Sequence, residues 1–218
     1  MTLTAHVFGG YASYEGEHKW RDPEHVAHKF IQILKGEQAN GHAWLPRPSG
    51  GTIKISNALA NNAFDVWGRW AASVLIGIYP EGATLVPIPS SNCVRVGSDT
   101  KGRALAEAIV VHARQFGAVD ALHWIEEWPK ARNGGPRDPD VLVGNLKIGS
   151  GLPKRPVVLV DDVITGGGHA VACARAIRGA GFEVAHVIAA ARTVKNPPAN
   201  GMFKIESWDV EAPFHHFW

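Results

Sequence analysis

The chain carries only two cysteines in 218 residues, Cys93 and Cys173, and no Cys-x-x-Cys pair. Cysteine this sparse argues against a disulfide scaffold and fits a reducing, cytoplasmic setting. Long apolar runs are also missing. The nearest, Ala71 to Tyr79, is too short to cross a bilayer, so no membrane association is expected. The first residues, Met1-Thr2-Leu3-Thr4-Ala5-His6, lack the basic and apolar regions of a signal peptide. A formal net charge of +2 supplies no strong field that would argue for nucleic acid as a partner. Internal repeats and low-complexity tracts are absent. So is the Gly-x4-Gly-Lys-Ser/Thr string of a nucleotide P-loop, and so is a Gly-x-Gly-x-x-Gly turn after a strand.

What is present suits one domain with an elaboration, or two small ones. Hydrophobic content of 45% can fill a sizeable core, and eight tryptophans are many for this length. Most of them are expected in the core or at an interface. The Trp-rich N-terminal helices offer a surface for a homodimer.

Asp22-Pro23 opens a helix, with Asp22 as N-cap and Val26, Phe30, Ile33 and Leu34 on one apolar face, ended by Lys35-Gly36. Residues 41–51 read as an irregular loop. A second helix is expected from about Asn57 to Ile78, with Ala63, Val66, Trp67, Trp70, Val74 and Ile78 inward. Residues 1–82 therefore read as a helical N-terminal part packed on residues 83–218. The remainder alternates. Thr84 to Pro89 is a strand candidate and Thr100 to Phe116 a helix. Trp128 to Asp140 is a Pro-, Gly- and charge-rich loop, and Val141 to Ile148 a strand candidate. Val157 to Val160 is a strand, His169 to Ala180 a helix, and Val184 to Ala190 a strand. Such alternation implies an α/β fold with a parallel sheet flanked by helices and right-handed crossovers.

The segment Pro156-Val157-Val158-Leu159-Val160-Asp161-Asp162-Val163-Ile164-Thr165-Gly166-Gly167-Gly168-His169 is the most informative. Four branched apolar residues form a buried strand with two carboxylates at its carboxyl end. A glycine-rich turn follows and opens a helix. Carboxylates accept from sugar hydroxyls or hold Mg²⁺, while glycine lets backbone N–H groups close around a phosphate. A sugar phosphate requires both halves. Three glycines beside two adjacent acids exceed what capping the next helix would need. A receiver-type acidic pair would lie at a first strand, and too few residues follow Asp162 for the units that come after it.

This segment resembles the phosphoribosyl-diphosphate (PRPP) motif of type I phosphoribosyltransferases. Asp161 and Asp162 match its acidic pair, Thr165 its first Thr and Gly167 its Gly. Gly166 and His169 stand where a second Thr and a final Thr or Ser are usual, so two hydroxyl donors are absent. Upstream, Val86-Pro87-Ile88-Pro89-Ser90-Ser91 resembles the strand and diphosphate loop of the phosphoribosyltransferases related to ComF, a bacterial DNA-uptake protein, with Arg95, Lys101 and Arg103 beyond it. The resemblance covers about residues 83–191.

The resemblance implies the type I phosphoribosyltransferase fold, with a helical N-terminal extension and a C-terminal hood over the acceptor. The reaction implied is transfer of the 5-phosphoribosyl group from PRPP to a nitrogenous small-molecule acceptor, with loss of diphosphate. Asp161 and Asp162 would hold the ribose hydroxyls and, largely through PRPP and water, Mg²⁺. Thr165, Gly166, Gly167, Gly168 and His169 would hold the 5′-phosphate, and Ser90, Ser91 and Arg95 the diphosphate. Lys130 and Arg132 would lie on a flexible loop that closes over the centre, and Phe203, Trp208, Phe214, Phe217 or Trp218 belong to the hood. Two alternatives stay open: a PRPP-sensing or ComF-like DNA-uptake protein without catalysis, and a sugar-phosphate hydrolase. His18, His25 and His28 could chelate a metal, but no ligand set completes the site, and a solvated helix face explains them.

Overall fold

A computed structural model of the chain describes residues 2–12, 19–129, 134–199 and 201–212. Its centre is a six-stranded sheet in the order β10-β1-β9-β8-β4-β5. The strands are β1 (Thr4–Tyr11), β4 (Thr84–Pro87), β5 (Gly117–Ala118), β8 (Val157–Ile164), β9 (Val184–Thr193) and β10 (Glu206–Asp209). All neighbours pair in parallel except β10, which runs antiparallel to β1 at the edge. The sheet is thus mostly parallel and covered on both faces, as its near-continuous Val, Leu and Ile runs require.

Three helices cover one face: α1 (Asp22–Leu34), α2 (Ala60–Ile78) and α3 (Thr100–His112). Phe30, Leu34, Trp67, Leu75, Leu105 and Ile109 pack there against Val158 and Val160. The other face carries α5 (Gly168–Gly179), whose Val171, Cys173 and Ile177 meet Val157, Leu159 and Val187. Trp67 is fully buried, and its indole N–H donates to the Leu105 carbonyl at 3.0 Å, tying α2 to α3. Gly68 permits that approach, because a Cβ there would lie 2.2 Å from the Ala108 carbonyl oxygen.

Several expectations are corrected. Arg21, not Asp22, is the N-cap of α1. Its backbone N–H donates to Glu24 Oε2 at 2.6 Å, and its guanidinium pairs with the same buried carboxylate. The stretch 41–51 is not an irregular loop. Strands β2 (Ala43–Pro46) and β3 (Thr52–Ile55) form an antiparallel hairpin that buries Leu45 and Ile55. The N-terminal part is not only helical, since β1 lies inside the central sheet. The strand expected over Val141 to Ile148 is instead the short helix α4 (Pro139–Gly144) followed by β7 (Leu146–Ile148), which pairs with β6 (Leu122–Trp124). Asp138 caps α4 by accepting from the Asp140 N–H at 2.9 Å, with Pro139 at the first helical position.

Lys130 and Arg132 lie outside the described residues, as do His18, Phe214, Phe217 and Trp218. The described part of the chain end supplies β10. Phe203 packs against Phe8 and Phe30, so its role is in the core. Both cysteines are buried free thiols. Among the described residues, no helix is long and apolar enough to cross a membrane.

Candidate functional site

The sheet changes direction between β4 and β8. The chain leaves β4 through α3 toward β5 on one side and leaves β8 through α5 toward β9 on the other. The crevice outside the carboxyl ends of two such strands is where open α/β sheets bind ligands. A cavity of about 370 Å³ occupies that crevice.

Strand lengths make the opening. β4 ends at Pro87 opposite Val160, and the Ile88 N–H donates to the Val160 carbonyl at 2.9 Å. β8 runs on through Asp161 to Ile164, paired there only with β9. The motif strand therefore includes the acidic pair, which the sequence placed just after it. Because side chains alternate along a strand, the two carboxylates part. Asp161 follows Val157 and Leu159 toward α5, where it lies near Cys173. Asp162 follows Val158 and Val160 toward α1, where its Oδ1 is 3.8 Å from Lys35 Nζ.

The Asp161 carboxylate accepts from the Asp162 backbone N–H at 2.8 Å. Burial first, and the Asp162 charge second, push the Asp161 carboxyl well above its usual range. Burial also raises Asp162, opposed chiefly by the Lys35 ammonium. The pair thus resists carrying two full charges.

The glycine turn stands beside it. Gly167 is the N-cap of α5 with φ of +73°, a left-handed conformation that favours glycine. A Cβ on Gly168 would lie 2.0 Å from the Arg137 carbonyl oxygen, so that position requires glycine as well. Gly166 faces open space. The first N–H groups of α5 have no partners within the helix and belong to residues that border the cavity, where a helix N-terminus favours negative charge. Thr165 lines the cavity with its hydroxyl 2.7 Å from that of Thr193. Burial and then the Arg137 charge lower the His169 pKa, so its imidazole is neutral near neutral pH and offers one N–H donor.

The loop after β4 forms the opposite wall. Asp99 holds it: one carboxylate oxygen accepts from the Ser90 N–H at 2.7 Å and the other from Gly102 N–H at 3.0 Å, capping α3. Ser90 and Ser91 line the cavity with Asp161, Asp162, Thr165, the three glycines and His169. Arg95 does not border it. Arg103 is held away by Glu107 and Asp120.

Sequence reasoning missed the roles of Lys35, Glu37 and Asp99 at this cavity. In the sequence Lys35 reads as a helix end, and only its position next to Gly36 at the end of α1 hints at a turn toward another element. Arg137, one of the basic residues on the loop expected to close over the centre, borders the cavity over α5. Among the described residues, no group of three or more His, Cys, Asp or Glu is placed to hold a metal by itself.

No family model matches the chain, and no curated protein does. Among solved structures it is similar to an adenine phosphoribosyltransferase at 17% identity, over 76% of this chain and 90% of that one, with a TM-score of 0.43. The adenine phosphoribosyltransferase of Saccharomyces cerevisiae, complexed with an imino-altritol bisphosphate and adenine, gives 18% identity over 75% and 88%, with a TM-score of 0.43. A hypoxanthine phosphoribosyltransferase of Staphylococcus aureus gives 10% identity over 62% and 74%, with a TM-score of 0.37.

Proposed function

We propose that this chain is a phosphoribosyltransferase that moves the 5-phosphoribosyl group of PRPP to a nitrogenous acceptor and releases diphosphate. One observation carries the reading. The acidic pair, the glycine turn that opens α5 and the Ser90–Ser91 loop border a single cavity at the switch between β4 and β8. These are the hydroxyl acceptors, the phosphate donors and the second anion site that a sugar bearing phosphate at both ends requires.

The 5′-phosphate sits on the N–H groups of Gly168, His169 and Ala170, with the His169 N–H and the Arg137 guanidinium beside it. Asp161 and Asp162 accept from the ribose hydroxyls, and the diphosphate lies toward Ser90 and Ser91. The bond from the anomeric carbon to diphosphate breaks as the bond to the acceptor nitrogen forms, and the acceptor's surplus proton leaves to solvent. Positive charge develops on the sugar ring between the two poles. The Asp161 and Asp162 carboxylates then interact more strongly with the transition state than with the substrate.

The residues fit Mg²⁺ as a companion of the substrate. Asp161, Asp162, Asp99 and Glu37 border the cavity against Lys35, Lys101 and Arg137, so a polyanion enters without surplus positive charge to meet it. Asp161 and Asp162 would hold the ion chiefly through diphosphate oxygens and water, and when bound it neutralises the leaving group.

The test is to incubate the protein with PRPP, Mg²⁺ and a panel of nitrogen heterocycles and to follow diphosphate. Acceptor-dependent release with a ribosylated product is expected. Release without any acceptor would make the chain a hydrolase, and PRPP binding without turnover on any acceptor would make it a sensing protein.

A further inference from the structure

Helix α1 lies outside the region of resemblance, yet it delivers a cation to the cavity. Lys35 follows the last residue of α1, and its side chain is 24% exposed. Its ammonium lies 3.8 Å from Asp162 Oδ1, beyond hydrogen-bond reach, and 5.1 Å from the centre of the Tyr11 ring. Those contacts hold the charge in place, and among the described residues they supply no close acceptor for its three donors.

Lys101 approaches from the opposite element. It lies in the first turn of α3, just after the Asp99 cap that also fixes the Ser90 N–H. The Lys101 side chain passes Gly36, the residue next to Lys35 in the chain. A Cβ on that glycine would lie 4.0 Å from Lys101 Cε. Both border the cavity, from helices on the sheet face opposite α5. The other basic residues of this region do not serve there, since Arg95 is off the cavity and Arg103 is committed to Glu107 and Asp120.

We infer that Lys35 and Lys101 form a two-lysine clamp for the diphosphate of the substrate, so that α1 is part of the substrate site. The inference rests on the PRPP reading of the cavity and goes further by assigning the diphosphate cations. Two compact ammonium groups from separate helices suit a diphosphate, whose oxygens spread over two phosphorus centres. A clamp divided between α1 and α3 also makes their relative placement a condition of binding.

The experiment is a calorimetric comparison of wild type, Lys35→Met and Lys35→Arg, with Mg²⁺ present. The probes are PRPP, inorganic diphosphate and ribose 5-phosphate, and thermal unfolding of each variant confirms the folded state. Losing one charge-assisted contact should weaken PRPP and diphosphate by about tenfold or more in Lys35→Met. Ribose 5-phosphate should bind as in wild type, and Lys35→Arg should recover much of the loss. Unchanged diphosphate binding in Lys35→Met, with wild type binding PRPP, overturns the clamp alone. Equal weakening of ribose 5-phosphate also overturns it and makes Lys35 a partner of Asp162 instead. Failure of wild type to bind any of the three overturns both the clamp and the PRPP reading.

Discussion

The rings of Trp124 and His169 meet edge to face, with centres 5.7 Å apart. Trp124 is fully buried at the end of β6, and its indole N–H donates to the Ser90 carbonyl at 3.0 Å. One side chain therefore touches both walls of the cavity, the Ser90 loop through a hydrogen bond and the start of α5 through a ring contact. Trp124→Phe should keep most of the ring contact and lose the hydrogen bond. We expect a loss of about 1–3 kcal/mol in denaturant unfolding. Diphosphate affinity should also fall by more than ribose 5-phosphate affinity. Equal affinities in both proteins would show that the loop holds its place without the indole.

The glycine turn gives a paired prediction. Gly168→Ala puts a methyl where the Arg137 carbonyl lies, so the segment carrying Arg137 must shift. Ribose 5-phosphate binding should weaken by about tenfold or more as the cation moves away. A Cβ on Gly166 meets no atom within 4 Å, and Gly166→Ser restores a hydroxyl at a position where one is usual in the resembled motif. Stability should stay within about 0.5 kcal/mol and phosphate affinity should hold or rise. Titration of ribose 5-phosphate into both variants separates the two outcomes.

A pH dependence arises at the far end of the sheet. His6 Nε2 and His186 Nδ1 are 3.0 Å apart, with Tyr79 and Glu183 facing His186. Burial, and then the neighbouring His186, lower the His6 pKa to about 4. Burial lowers His186 as well, opposed by Glu183. Both histidines are therefore neutral in the folded protein but take up protons near the ordinary 6.5 once unfolded. Their contribution is intact above that value and is lost as pH falls toward about 4. Urea midpoints measured at about pH 7.5 and about pH 5 should differ, and His6→Gln should narrow the gap. An unchanged gap would locate the acid sensitivity elsewhere.

The sequence made the functional centre more legible than the periphery, for physical reasons. Val157 to Val160 is buried on both faces, so its apolar run stands out, and the acids and glycines after it can serve few purposes. β1 was hidden because Gly9 and Gly10 interrupt its pattern. Gly9 is there for packing, since a Cβ would lie 2.6 Å from the Met202 carbonyl oxygen, a contact no local reading could supply. The hairpin of β2 and β3 was hidden by Pro46, Pro48, Gly50 and Gly51, with only Leu45 and Ile55 fully buried along it. In α4 the branched residues Val141 and Val143 suggested a strand, whereas the Asp138-Pro139 cap decided for helix. Arg95 was expected beside the diphosphate because it is close in sequence. Lys35 reaches the cavity only because α1 packs across the sheet toward Asp162, and that tertiary relationship leaves no local signature.

The most direct measurement is calorimetric titration of PRPP with Mg²⁺ into the wild-type protein and into Asp161→Asn/Asp162→Asn. The account predicts micromolar binding by wild type, with a loss of about a hundredfold or more in the variant as both sugar-facing charges vanish. Thermal stability should be unchanged or raised, because the substitutions relieve two crowded, partly buried carboxylates. Equal binding by the two proteins, or none by folded wild type, would contradict the assignment of this cavity to PRPP.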